Sequence, residues 1–234
     1  MEFDAVLLVA FILIVWLVGR AGATPGVDGV VPVPGGYRSY RVHRDLDGSG
    51  VAADRLALLE RRAALLLDSI NRRFLFGGQP YAIDGIAATN SPAAAAARRL
   101  ARRYSPDALV ENAPGVDGTA FTLDKGSLIA MCLREAEPGT PLATSQDGYP
   151  VDEVLLFVFL HELSHVAADG FGHGPEFWST FKWILQEALV APGLGRQLVA
   201  MDFDNRPTSY CGIAVDHNPL YDPNIAPLST SGPV

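Results

Sequence analysis

Cysteine is scarce in this chain. Its 234 residues hold two, Cys132 and Cys211, and no Cys-x-x-Cys pair, so a structural zinc ribbon is excluded. The two can form a single bridge in an oxidising compartment, or stand as two buried thiols. Internal repeats are absent, which leaves no basis for a solenoid or propeller. The length fits one domain of about 150 residues with appendages. Negative charge exceeds positive, with a formal net charge of −8. The imbalance is uneven: residues 38–103 hold 12 Arg against 6 acidic residues, and residues 104–234 hold 5 basic against 17 acidic. The arginines of the first stretch include the pairs Arg61-Arg62, Arg72-Arg73, Arg98-Arg99 and Arg102-Arg103. Such a basic front can meet nucleic acid or an anionic membrane surface. The aromatic side chains that a single-strand binding surface interleaves with its cations are missing there. The favoured expectation is an Arg-rich helix face that pairs with the acidic half of the same domain.

The amino end carries a charge-free apolar run. Ala5 to Gly19 is 15 residues, about 22 Å of helix against a hydrocarbon core of roughly 30 Å. Extending it to Ala23, with Arg20 snorkelling, brings it near spanning length. A secretory signal peptide is the rival, because Ala21-Gly22-Ala23 has the small-x-small form of a cleavage site. The leading Met1-Glu2-Phe3-Asp4 is negative, which is wrong for that class. Residues 1–23 are therefore expected to be a retained single-pass membrane anchor. Arg20, Arg38, Arg41 and Arg44 all follow it, and the positive-inside rule then keeps the main domain in the cytosol. Cleavage would make the domain secreted.

Residues 24–52 read as a flexible linker, with Gly, Pro and Val concentrated in 24–37. The main domain is expected over 53–205. Ala53–Phe74 predicts a long amphipathic helix, with Leu56, Leu59, Ala63, Leu66, Leu67 and Ile70 as its apolar stripe. Ser91-Pro92 opens a second, where Pro suits the first helical position. Short strands follow around 119–123 and 127–134. Residues 206–234, with five prolines from Pro207 onward, read as a tail that wraps the surface.

The chemistry lies in His161-Glu162-Leu163-Ser164-His165. Val151 to His165 is strongly apolar and free of Gly and Pro, and its spacing suits a buried helix. Residues four apart share one face of a helix, so His161 and His165 offer two imidazole nitrogens to one metal ion. Glu162 stands about 100° round that helix, near a water but not a ligand, which is the HExxH arrangement of zinc proteases. Asp169, Gly170 and Gly172 then turn the chain and deliver His173. A second helical pattern follows at 174–190. Three neutral ligands leave one tetrahedral position open, the layout of a catalytic rather than a structural zinc site. Glu162 is placed as general acid and base. His217 is an alternative third ligand, but Asn218-Pro219 beside it indicates a turn, and His173 has the better spacing. Met201 is taken as a core residue.

The string from His161 to His165, followed by His173-Gly174-Pro175-Glu176-Phe177-Trp178, resembles the SprT-like and WLM metalloproteases. The stretch Phe121-Thr122-Leu123-Asp124-Lys125-Gly126 to Cys132-Leu133-Arg134 is similar to those families as well. Ser209-Tyr210-Cys211-Gly212, followed by Asn218-Pro219, is similar to the ending of WLM-like proteins of large DNA viruses. The resemblance spans residues 53 to 220 and is sharp in 121–134 and 161–178. It implies an α+β fold of compact zincin type, with an active-site helix on a small sheet. It also implies one zinc ion on His161, His165 and His173, with Glu162 as catalytic acid and base. The interval from His161 to His173 is twelve residues, which departs from the ten of the metzincin pattern.

Zincins bind a peptide as an added strand along a sheet edge. The expected edge strand is Ser127 to Arg134, with Ser127, Ile129 and Met131 against the substrate; an inner strand is the alternative. Tyr210 is a candidate hydrogen-bond donor to the oxyanion. The function expected is a membrane-tethered, zinc-dependent metallopeptidase acting on a peptide or protein substrate. Two alternatives stand beside it. One is a catalytically silent zincin-fold component of a membrane or virion. The other is a DNA–protein crosslink protease, which requires the basic front to bind DNA.

Overall fold

A computed structural model describes residue 27 and residues 30–75, 90–113, 120–134, 141–142, 145–146, 149–194, 198 and 201–231. The expected N-terminal anchor lies outside the described residues. Among the described residues no helix is long and apolar enough to cross a membrane. Among the described residues the arrangement is α+β: four α-helices and a five-stranded sheet, with two further small hairpins.

Residues 31–42, inside the segment expected to be a linker, are instead the start of the sheet. Val31–Gly35 (β1) and Arg38–Val42 (β2) pair antiparallel across Gly36-Tyr37. Val33, Tyr40 and Val42 point into the core, while Pro32 and Pro34 face outward. A strand with two prolines is tolerated because β1 lies at the sheet edge, where the missing N–H groups face no partner. Gly36 supplies the positive φ of the tight turn, at 58°. The Gly/Pro composition thus marked an edge hairpin rather than a flexible tether. The following loop is pinned too. Arg134, fully buried, donates through Nε to Glu111 at 2.6 Å and reaches the carbonyls of Asp47 and His43. Glu111 in turn accepts the His43 N–H at 2.7 Å.

Helix α1 runs over Ser49–Phe74; of the predicted stripe, Leu56, Leu59, Ala63, Leu66 and Ile70 are buried and Leu67 is half-buried. Each such aliphatic side chain removed from water contributes about 1.5–3 kcal/mol. Helix α2 is Pro92–Arg103, begun as expected by Ser91, whose Oγ accepts the Ala94 N–H at 3.1 Å. Leu109–Asn112 (β3), Ala120–Leu123 (β4) and Leu128–Cys132 (β5) complete the sheet, in the order β1-β2-β3-β5-β4. Strands β2, β3 and β5 are mutually parallel, and β4 returns antiparallel on β5. A two-stranded hairpin, β6 (Ser145–Gln146) and β7 (Tyr149–Pro150), leads directly into helix α3, Val151–Ala167. Helix α4 follows at Pro175–Val190.

Strand β5 was expected at the edge and lies between β3 and β4. Its residues Ile129, Ala130, Met131 and Cys132 are buried, so both faces are covered, as the high apolar content of that stretch allows. Among the described residues the edge strand near α3 is β4.

The tail is tied to the domain at several points. Thr208–Tyr210 (β8) and Ile213–Val215 (β9) form a hairpin whose two-residue turn, Cys211-Gly212, has φ of 49° and 85°. Two positive φ values in a two-residue connection match the twist of an antiparallel pair. A Cys132–Cys211 disulfide fastens this hairpin to the end of β5. Beyond it, the Lys182 ammonium donates to the Asp222 carbonyl at 2.7 Å, and the Ala93 N–H donates to Ser229 at 3.1 Å.

The candidate metal centre and its supports

Helix α3 places His161 and His165 one turn apart on a single face, and the chain reversal after it brings His173 to them. The three imidazole centroids form a near-equilateral triangle, with sides of 5.1, 5.0 and 4.9 Å. One ligand nitrogen from each lies within 4.8 Å of the others, and His161 Nε2 is 3.0 Å from His173 Nε2. Two nitrogens each 2.0–2.1 Å from one tetrahedral ion stand about 3.3 Å apart, so the triad fits a single zinc-sized ion. Burial holds His161 down to about 3, helped by His165 and His173. Burial and His173 likewise hold His165 down to about 4. Both rings are therefore neutral at pH 7, the state a metal ligand needs.

The triangle rests on an aromatic floor. Phe177, only 2% exposed, stacks on His165 at 4.3 Å and meets His161 and His173 edge-on at 4.8 and 4.7 Å. Phe181 backs His161 at 5.2 Å. These contacts fix the ring planes from beneath.

Glu162 is buried beside the triad, and burial raises its carboxyl to about 7 against the opposing hydrogen bond from Thr122. Thr122 Oγ1, on the edge strand β4, donates to Glu162 Oε2 at 2.8 Å. That residue was not singled out from the sequence, although it stands inside the Phe-Thr-x-x-Lys-Gly string.

Two expected substrate-side roles do not hold. Ile129 and Met131 are fully buried in the inner strand β5, and Ser127 Oγ closes the β4–β5 turn by donating to the Leu123 carbonyl at 3.2 Å. Tyr210 is 2% exposed and its hydroxyl donates to the Cys132 carbonyl at 2.7 Å. Burial and the Glu162 charge raise its pKa. It packs the hairpin onto β5 and has no proton free for an oxyanion. His217 stands apart from the triad, with Nδ1 2.9 Å from Asp204 Oδ1 and its ring 5.7 Å from Trp178. Met201 is a core residue whose carbonyl accepts from Asn218 at 2.8 Å.

The arginine-rich front is largely spent inside the domain. Arg62 pairs with Glu153 at 2.5 Å, Arg73 with Glu187 at 2.5 Å, and Arg38 with Asp107 at 2.9 Å. Arg99 donates to the Ala167 carbonyl at 2.6 Å, and Arg103 to Val166 and Ala168 at 3.0 Å each. These are the last carbonyls of α3 and that of its C-cap residue Ala168, which lack helical partners. Two of the paired arginines therefore cap the helix that carries the motif.

Over 112 residues the chain is 31% identical to an uncharacterized protein, R325, of Acanthamoeba polyphaga mimivirus. The alignment covers 48% of this chain and 51% of that protein, so the chain spans about half the length of the curated relative it matches. No family model matches the chain. No solved structure matches it either.

Proposed function

We propose that the chain is a zinc-dependent metallopeptidase of SprT/WLM type. The observation that supports this most is the convergence of three imidazoles beside a buried, hydrogen-bonded Glu162. His161, His165 and His173 would hold the ion. When bound, zinc lowers the pKa of water toward neutrality and polarises a substrate carbonyl. Glu162, raised toward 7 by burial, takes a proton from the attacking water and returns it to the leaving amine. Thr122 orients the carboxylate for both transfers. Strand β4, last in the sheet order among the described residues, is the edge along which an extended peptide would bind as an added strand. The disulfide between Cys132 and Cys211 calls for an oxidising compartment. That weighs against the cytosolic orientation expected from the flanking arginines and favours a domain held on the other side of the membrane by residues 1–23.

The test is metal analysis of wild type, His173→Ala and Glu162→Gln, coupled to cleavage of a peptide library. One zinc per wild-type chain, lost in His173→Ala, is expected. Glu162→Gln should keep the zinc and lose cleavage by at least the roughly 10²-fold that a general base supplies. A zinc-loaded wild type that cleaves no library member would overturn the peptidase reading.

A further inference from the structure

Residues 168–174 join α3 to α4 without helix or strand, yet they decide where His173 stands. Two of the residues between the ligands, Gly170 and Gly172, are glycines, so the backbone alone does not fix the path. Side chains from other elements do. Glu176, in the first turn of α4, accepts the Asp169 N–H on Oε1 at 2.8 Å and the Gly170 N–H on Oε2 at 2.9 Å. Arg99 of α2 stands 3.5 Å from the same carboxylate. The ammonium of Lys125, in the β4–β5 turn, donates to the Gly170 carbonyl and lies 4.4 Å from the centre of the Phe171 ring. Both backbone polar groups of Gly170 are thus held, the N–H by Glu176 and the carbonyl by Lys125. The approach is close: a Cβ on Gly170 would sit 3.2 Å from Glu176 Oε2. Asp169 is drawn the same way, 3.9 Å from Arg103.

We propose that Glu176 and Lys125 are positioning residues for His173. Together they clasp the Asp169-Gly170 backbone so that the third imidazole already faces His161 and His165 before metal arrives. The inference rests on reading the triad as a zinc site. Without the clasp, a glycine-rich loop must be ordered when the ion binds, and that cost appears as lost affinity. Partners behind the ligands of a metal site commonly account for 10–100-fold in affinity.

The experiment is zinc competition against a chromogenic chelator at neutral pH, on the full chain, with folding checked by near-UV circular dichroism. Glu176→Ala and Lys125→Met should each bind one zinc about 10–100-fold more weakly than wild type. Glu176→Gln should fall between, because its single amide oxygen can accept only part of the pair. A merely structural role would lower the melting temperature of the metal-free protein and leave the zinc dissociation constant unchanged; folded variants with wild-type affinity overturn the proposal. If Glu176→Ala fails to fold, Lys125→Met, in a partly exposed turn, decides the matter. A wild type that binds no zinc sinks the zinc reading itself, whereas a wild type that binds alongside equally tight variants sinks only the clasp.

Discussion

Thr122 Oγ1 lies 2.8 Å from Glu162 Oε2 and 3.3 Å from the Glu162 carbonyl oxygen. The edge strand of the sheet and the motif helix therefore meet at the residue proposed to move the proton. A hydrogen bond to a charged group contributes about 1.5–3 kcal/mol. Thr122→Val keeps the shape of the side chain and removes the donor. At full zinc occupancy kcat/KM should fall about tenfold, the low end of that range, with zinc content unchanged. A parallel loss of zinc would show that Thr122 serves the metal site and not Glu162.

Tyr210→Phe separates packing from catalysis. Its hydroxyl is donated inward to Cys132, so the variant should cost about 1 kcal/mol of stability, the net worth of one hydrogen bond. The kcat should stay at the wild-type value. A loss of about 10²–10³ in kcat is what removal of an oxyanion donor produces, and it would return Tyr210 to the reacting atoms.

The motif helix and its two histidines were legible because helical periodicity and the HExxH spacing are local properties of the sequence. The support of the site was less legible because it is assembled across the fold. Phe121-Thr122-Leu123-Asp124-Lys125-Gly126 could be matched as a string, but its parts act in three directions. Thr122 reaches Glu162 and Lys125 reaches Gly170. Gly126, at φ 113°, lets the turn approach Val166 and the Arg103 carbonyl. Strand order has no local signature either. An apolar run such as Leu128–Cys132 fits an edge strand packed on one face less well than an inner one, and only the register with β3 shows which it is. The β1–β2 hairpin was missed because its prolines, which argue against a central strand, are acceptable at an edge.

Acid should loosen the clasp before it unfolds the domain. Burial pushes the Glu176 carboxyl up, but the N–H groups of Asp169 and Gly170 and the charges of Arg99 and Lys125 outweigh it, and the net direction is down. A carboxyl whose folded pKa is depressed adds stability above its unfolded value and loses it as pH falls through the folded one. Metal-free wild type should therefore lose stability more steeply than Glu176→Gln between about pH 5 and pH 3. Urea midpoints measured across that window supply the comparison. Parallel curves for the two proteins would mean that the clasp contributes nothing to the metal-free fold.

The Cys132–Cys211 bond closes a loop of sequence separation 79. Cross-linking residues that far apart removes enough freedom from the unfolded chain to be worth about 4 kcal/mol in the loop-entropy picture. A Cys132→Ala/Cys211→Ala variant should show that loss in denaturant unfolding, and wild type in reducing buffer should match it. The damage should also be local. Tyr210 and Thr208 are buried in a hairpin of three-residue strands, too short to be stable alone. Without its tether to β5, that hairpin should open more often than the core and expose the backbone around 206–216 to protease. Limited proteolysis with and without reductant reads this directly. Cleavage in that stretch only under reducing conditions is expected. Equal resistance in both would show that the Tyr210 hydroxyl and the buried side chains hold the hairpin without the covalent bond.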